Sequence, residues 1–213
     1  MSRVILSTAY LPPLQFFSRL ISGNSICLEA CENYLKQTYR NRCVILSANG
    51  VLPLSIPVIK TNGNHTPIRN VEIDNSSEWQ KIHLRAIEAG YGSSPYFEFV
   101  FDMLYPFYSK KFINLFDFNF ELIEAILKFL ELKVEINLTT DYSFEHSENI
   151  EDCRGLISPK VKLEKDMQFT QVQYYQVFAH KVGFVPNLSI IDMLFNEGLA
   201  TVGLLKRMYS VSK

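Results

Sequence analysis

The first 28 residues limit the possible folds more than any other part of the chain. Val4-Ile5-Leu6 is a short apolar run that stops at polar Ser7-Thr8, and a similar run returns at Ser25 to Leu28. Between them Leu14, Phe17 and Ile21 share one helical face, with Phe16 and Leu20 beside them, after Pro12-Pro13 and before Gly23. Proline loses nothing in a first helical turn, where its missing N–H has no intrahelical partner, and glycine readily takes the left-handed conformation that ends a helix. A helix between two short strands implies a parallel βαβ unit, because parallel neighbours need a crossover between them. The expected class is α/β: this N-terminal βαβ unit within a mixed sheet flanked by helices.

Further along, Arg42 to Leu46 reads as a strand and Asn49-Gly50 as a type I′ hairpin turn. In the returning strand Leu52, Leu54, Ile56 and Val58 alternate with Pro53, Ser55 and Pro57. Proline cannot donate to a ladder, so an edge β-hairpin is expected. Val71 and Ile73 suggest one more short strand. Ser77 with Gln80 forms a capping-box pattern, opening a helix with Trp79, Ile82, His83, Ala86, Ile87 and Gly90 on one face. Tyr96 to Tyr108 is expected to be helical up to Pro106. Asn119 is the expected cap of a helix with the stripe Leu122, Ile123, Ile126, Leu127 and Leu130. Val134, Ile136 and Leu138 alternate as a half-buried strand. Asp141 to Asp166 is acidic and then basic without periodicity, and is read as a long mobile excursion. Gln173 to Ala179 is read as a late strand, and Ser189 and Asp192 start a short helix that ends at Gly198.

With 213 residues, 47% apolar and 20% charged, the chain is expected to form one domain over residues 1–213. The net charge of −1 argues against a nucleic-acid partner. No leader and no membrane span is apparent, which places the protein in the cytoplasm with Cys27, Cys31, Cys43 and Cys153 as free thiols.

Two groups of residues carry candidate chemistry. His83 lies on the apolar side of its helix, where a buried imidazole can be tuned for proton exchange; the alternative is a core histidine bonded to a carbonyl. Lys36, Arg40 and Arg42 form a run of cations without an acid, and guanidinium forks match phosphate oxygens. Asn41, Thr38 and Tyr39 add hydrogen-bonding groups, and the alternative is solvated surface charge. Tyr10-Leu11-Pro12-Pro13 occupies the strand–helix junction that touches phosphate in many α/β folds, or else is a rigid turn. Cys27 and Cys31 lack metal-binding spacing, so no metal site is assigned, even with Glu29 and His65 considered. No G-x-S-x-G, Walker A or H-E-x-x-H motif occurs, which removes several common enzyme classes and leaves the cofactor unknown.

The same segments resemble the WbqC-like family. Tyr10 to Phe17 is similar to the family's opening motif, although Pro13-Leu14 stand where many relatives have Trp-Leu and Gln15 replaces a frequent Gly. Similar too are Glu32 to Arg42, Asn49-Gly50 with Leu54 to Val58, Trp79 to His83 with Tyr91 and Pro95 to Phe97, and Leu188 to Asp192. The resemblance implies a bacterial cytoplasmic protein of surface-polysaccharide or sugar-nucleotide modification. Two functions follow as expectations. One is a transferase acting on a phosphate-bearing sugar, with His83 as base and Tyr10, Lys36, Arg40, Asn41 and Arg42 binding substrate. The other is a non-catalytic binding protein for an anion or sugar nucleotide of a glycan pathway.

Overall fold

A computed structural model describes residues 3–142 and 149–210. Strand β1 (Arg3–Ser7), helix α1 (Leu14–Leu20) and strand β2 (Ser25–Glu29) form the expected βαβ unit, with β1 and β2 parallel from Arg3↔Ser25 to Ser7↔Glu29. Two more strands complete a sheet, β7 (Ile136–Leu138) beside β2 and β8 (Ile150–Asp152) beside β1, in the order β7-β2-β1-β8 and parallel throughout. Among the described residues the antiparallel ladders are two-stranded sheets, beside isolated antiparallel bridges such as Pro13↔Ser189. Strand β3 (Arg42–Ser47) pairs with β4 (Gly50–Ser55), and β5 (Val58–Ile59) with β6 (Glu72–Ile73).

The hairpin is where it was expected, but its turn is not type I′. Gly50 alone adopts positive φ, at 101°, and Asn49 does not. The returning strand also divides. The Ile56 N–H donates to the Asn41 carbonyl at 2.8 Å, and after Pro57 the chain leaves the hairpin to pair with β6.

Helices α2 (Trp79–Tyr91), α3 (Phe97–Ser109), α4 (Leu115–Phe129), α5 (Ala179–Val182), α6 (Ile190–Glu197) and α7 (Thr201–Met208) complete the fold. Helix α6 is the central one: Ile190, Ile191, Met193, Leu194 and Phe195 are fully buried, and it packs against α3, α7 and β3. Helix α2 buries Trp79, His83, Ile87, Gly90 and Tyr91, while Ile82 is exposed. None of the described helices is long and apolar enough to cross a membrane.

Several local expectations are corrected by competing hydrogen bonds. Ser77 does not cap α2, and its intended partner Gln80 donates instead to the carbonyls of Phe107 (3.0 Å) and Lys110 (2.5 Å) at the end of α3. Helix α3 runs through Pro106 to Ser109. Asn114, not Asn119, caps α4 by accepting from the N–H groups of Phe116 and Asp117. Residues 173–179 form no strand: the Tyr175 N–H donates to the Glu197 carboxylate at 3.0 Å, and the Gln176 side chain bonds both the N–H and the carbonyl of Val185. Of the segment read as an excursion, residues 143–148 lie outside the described residues. The remainder includes β8 and a buried Asp166, which bonds Gln15 and pairs with the fully buried Arg19 of α1.

Gly198, which ends α6, has φ +54°, and a Cβ there would lie 2.6 Å from the Tyr96 ring. Gly198→Ala is therefore expected to cost about 2 kcal/mol in urea unfolding, combining a left-handed alanine with local overpacking. A change within a few tenths of a kcal/mol would show that the Tyr96 ring moves aside freely.

Candidate anion-binding crevice

From β1 the chain moves to one side to make β2 and returns on the other side to make β8. The strand order thus reverses between β1 and β8, and in open α/β sheets the carboxyl ends of the strands at such a point form a binding crevice. At this edge lie Ser7 at the end of β1, Glu29 at the end of β2 with Ala30 to Asn41 after it, and Cys153 to Lys160 after β8.

Two ion-pair clusters line the edge. The Arg40 guanidinium grips Glu32 with Nε on Oε1 at 2.9 Å and Nη2 on Oε2, and Nη2 also donates to the Ser7 hydroxyl at 2.8 Å. Both side chains are about 5% exposed. The Asn119 amide, buried inside α4, donates to the Arg40 carbonyl at 2.7 Å and fixes the backbone there. Burial pushes the Glu32 carboxyl above its usual pKa; Arg40 and Ser7 oppose this, and nearby Glu29 adds to it. In the second cluster Arg154 donates to both oxygens of Asp152, at 2.9 and 2.6 Å, and to Glu29 at 2.5 Å. Hydrogen bonding to Asp152 raises the Arg154 pKa above its ordinary value.

Between the clusters opens a pocket of about 370 Å³, with Lys36, Thr38 and Arg40 on one wall and Arg154, Ser158 and Lys160 on the other. Thr38 fastens the first wall by donating to the Leu35 carbonyl at 2.8 Å, around a turn in which Gln37 has φ +58°. Lys36 and Lys160 have no carboxylate partner among the described residues, and Arg40 keeps Nη1 free of any partner there. Lys60 stands next to Lys36; partial desolvation and that neighbour lower its pKa. The crevice therefore offers several donors and an excess of positive charge on two facing walls, the arrangement that holds an anion.

The predicted site residues separate. Lys36 and Arg40 line the pocket, whereas Asn41 and Arg42 go to the hairpin. Asn41 bonds Ile56 through its side-chain amide at 2.7 Å, and Arg42 pairs with Ser55 and has a buried Nε without a hydrogen-bond partner. Tyr10 is fully buried; its N–H donates to the Tyr39 carbonyl at 2.8 Å, and its ring reaches His83. His83 is 4% exposed and packs against Trp79. Its Nδ1 lies 2.9 Å from the Tyr10 hydroxyl, which lies 2.5 Å from that of Tyr108. Burial pushes the His83 pKa down to about 4, with a hydrogen bond to the Ser55 backbone opposing. A neutral imidazole that donates to the Ser55 carbonyl must accept from Tyr10 at Nδ1. Tyr10 then accepts from Tyr108, and the whole chain is satisfied. Burial raises both tyrosine pKa values, so the chain is uncharged.

The second wall, Arg154 to Lys160, was missed. The signals for it were the acid–Cys–Arg–Gly turn at Asp152 to Gly155, where a strand ends, and the charge reversal that begins at Lys160. Among the described residues no three His, Cys, Asp or Glu side chains are grouped to hold a metal.

Comparison with known proteins agrees with the likeness carried by these segments. An uncharacterized protein of Mycobacterium tuberculosis, Rv1507c, is 26% identical over 215 residues, covering 91% of this chain and 93% of its own length. No solved structure matches the chain. The profile of the WbqC-like protein family matches residues 8–158, from the carboxyl end of β1 through most of the second pocket wall, and the chain belongs to that family.

Proposed function

We propose that the crevice binds a phosphate-bearing sugar, sugar nucleotides included, and that the protein transfers a group to it in the bacterial cytoplasm. The observation that carries this reading is the pocket at the sheet's reversal point, lined by Lys36, Arg40 and Lys160, with neither lysine in an ion pair among the described residues. Four free cysteines fit a reducing compartment.

On this reading Lys36, Arg40 and Lys160 hold phosphate, and Tyr10, Asn41 and Arg42 support the loop that carries Arg40. His83 belongs to the same support: its ring nitrogens are both engaged in the core, so a proton acceptor for transfer has to come from the crevice carboxylates. The closed position of His83 also favours a second reading, in which the protein binds the ligand without turning it over.

Calorimetry with inorganic pyrophosphate tests the pocket. Lys36→Ala with Lys160→Ala is expected to weaken binding roughly 10-fold or more at low salt, with the gap narrowing as salt screens the wild-type advantage. Gly155→Glu is a complementary variant, since a Cβ at Gly155 meets open space and the added carboxylate enters the pocket without disturbing the fold. Equal affinity in all three proteins would make the cations ordinary surface charge. Incubation with pooled sugar nucleotides and acyl or aminoacyl donors then separates the readings: donor consumption that Gly155→Glu abolishes supports transfer, and binding without consumption supports the binding protein.

A further inference from the structure

A second pocket of about 250 Å³ meets the first at Arg154, which lines both. It lies over the sheet. Alternate residues of a strand point to opposite faces, so Arg3, Ile5 and Ser7 share one face of β1, while Val4 and Leu6 are sealed beneath the other. The register sets Ile150 of β8 beside Arg3, on that same face. Parallel sheets are normally covered on both faces, so a polar hollow over Ile5 and Ile150 needs an explanation.

The lining supplies one. Ile5 and Ile150 make a small apolar floor. Around it stand Arg3, Thr140 and Asp141. The Arg3 guanidinium uses Nε and Nη2 on the Cys27 sulfur, at 3.1 and 2.9 Å, and keeps Nη1. Neither the Thr140 hydroxyl nor the Asp141 carboxylate has a partner among the described residues. Neighbouring Glu29 and Thr139, by contrast, are committed to each other at 2.7 Å and to backbone N–H groups. A carboxylate, a hydroxyl and a guanidinium around an apolar floor match a ring that has an apolar face and a rim of hydroxyl groups, each both donor and acceptor.

We propose that this hollow is the subsite for a polyhydroxylated ring whose phosphate lies across Arg154 in the basic pocket. The inference rests on the anion-pocket reading and adds to it where the rest of the ligand sits and which residues select it: Arg3, Thr140 and Asp141. The ring is either a glycosyl unit or the ribose of a nucleotide.

Three probes separate these possibilities by calorimetry on the full chain: inorganic phosphate, a hexose 1-phosphate and a nucleoside monophosphate. At least one organic phosphate is expected to bind about 10-fold more tightly than inorganic phosphate, the scale of one or two well-placed hydrogen bonds. The probe that shows the gain identifies the ring. Asp141→Asn combined with Thr140→Val is expected to abolish the gain and leave inorganic phosphate unchanged, and both positions are exposed, so folding is not at stake. Lys36→Ala with Lys160→Ala is expected to weaken all three probes together. The subsite is overturned if neither organic phosphate gains over inorganic phosphate, or if the gain survives the Asp141/Thr140 variant. Failure of inorganic phosphate to bind wild-type protein would instead overturn the anion pocket, and the subsite with it.

Discussion

Glu32→Ala is expected to destabilise the protein by about 3–5 kcal/mol, the usual cost of leaving one partner of a buried ion pair uncompensated. Arg40 and Glu32 are each about 5% exposed, and the Ser7 hydroxyl, which bonds both, cannot neutralise a guanidinium. Lys36→Ala, a few residues away on the surface, is expected to stay within about 0.5 kcal/mol. The two values are read from urea midpoints at constant slope. A Glu32→Ala loss below about 1 kcal/mol would mean that water reaches Arg40 and solvates it.

This does not make the pair a source of stability. The Glu32 carboxyl is pushed above its ordinary pKa because burial outweighs Arg40 and Ser7. The folded state thus binds the proton more tightly than the unfolded chain does, and the contribution of Glu32 declines as pH rises past the usual carboxylate range. Replacing both partners by apolar residues of similar size removes the desolvation cost along with the attraction. Glu32→Leu with Arg40→Met is therefore expected to remain within about 1 kcal/mol of wild type, yet to lose anion binding. On the proposed reading that contrast would give the pair its purpose, since Glu32 engages Nε and Nη2 of Arg40 but not Nη1.

Periodicity made β1, α1, β2 and the buried face of α2 legible, because each presents a regular apolar stripe to the core. It failed at β8. Ile150-Glu151-Asp152 is an edge strand with two acids and one apolar residue, and nothing in its pattern separates it from a loop. The strand is held by partners distant in sequence: it pairs with β1 from Arg3↔Ile150 to Ile5↔Asp152, and Glu151 meets Arg19 at 3.1 Å. With β8 unread, the wall that follows it was unread too. The run from Lys36 to Arg42 posed a different problem. Neighbouring cations diverge there: Arg40 turns inward to Glu32, Arg42 opens β3, and Lys36 alone reaches the pocket unpaired. Composition reveals the charge of such a segment, but the side each residue faces depends on the turn at Gln37 and the start of the hairpin.

Opposite acid responses are expected from two buried groups, His83 and Asp192. Burial lowers the His83 pKa to about 4 from an ordinary 6.5. The unfolded chain therefore takes up a proton first; this contribution is complete above about pH 6.5 and is lost as pH falls toward 4. Asp192 is 1% exposed and accepts from the hydroxyls of Tyr91 (2.8 Å) and Tyr174 (2.7 Å). Burial, only partly offset by those bonds, raises its pKa to about 6 from 3.8. Here the folded state takes up the proton first, so this contribution is present at the acid end and is lost as pH rises through 6. At about 1.4 kcal/mol per pKa unit, each amounts to roughly 3 kcal/mol across its window. The two largely cancel in the wild type between pH 4 and 6, and single variants uncover them. Relative to wild type, His83→Gln is expected to gain about 3 kcal/mol on going from pH 7 to 4, and Asp192→Asn to lose about 2 kcal/mol from pH 6 to 4, in urea unfolding at each pH. Curves for His83→Gln and wild type that run parallel down to pH 4 would mean that the imidazole charges freely in the folded protein. That could happen only if His83 opened to solvent, and it would restore His83 as a candidate base. A gap that widens as calculated keeps it in the core, a neutral link in the chain from Tyr108 through Tyr10 to Ser55.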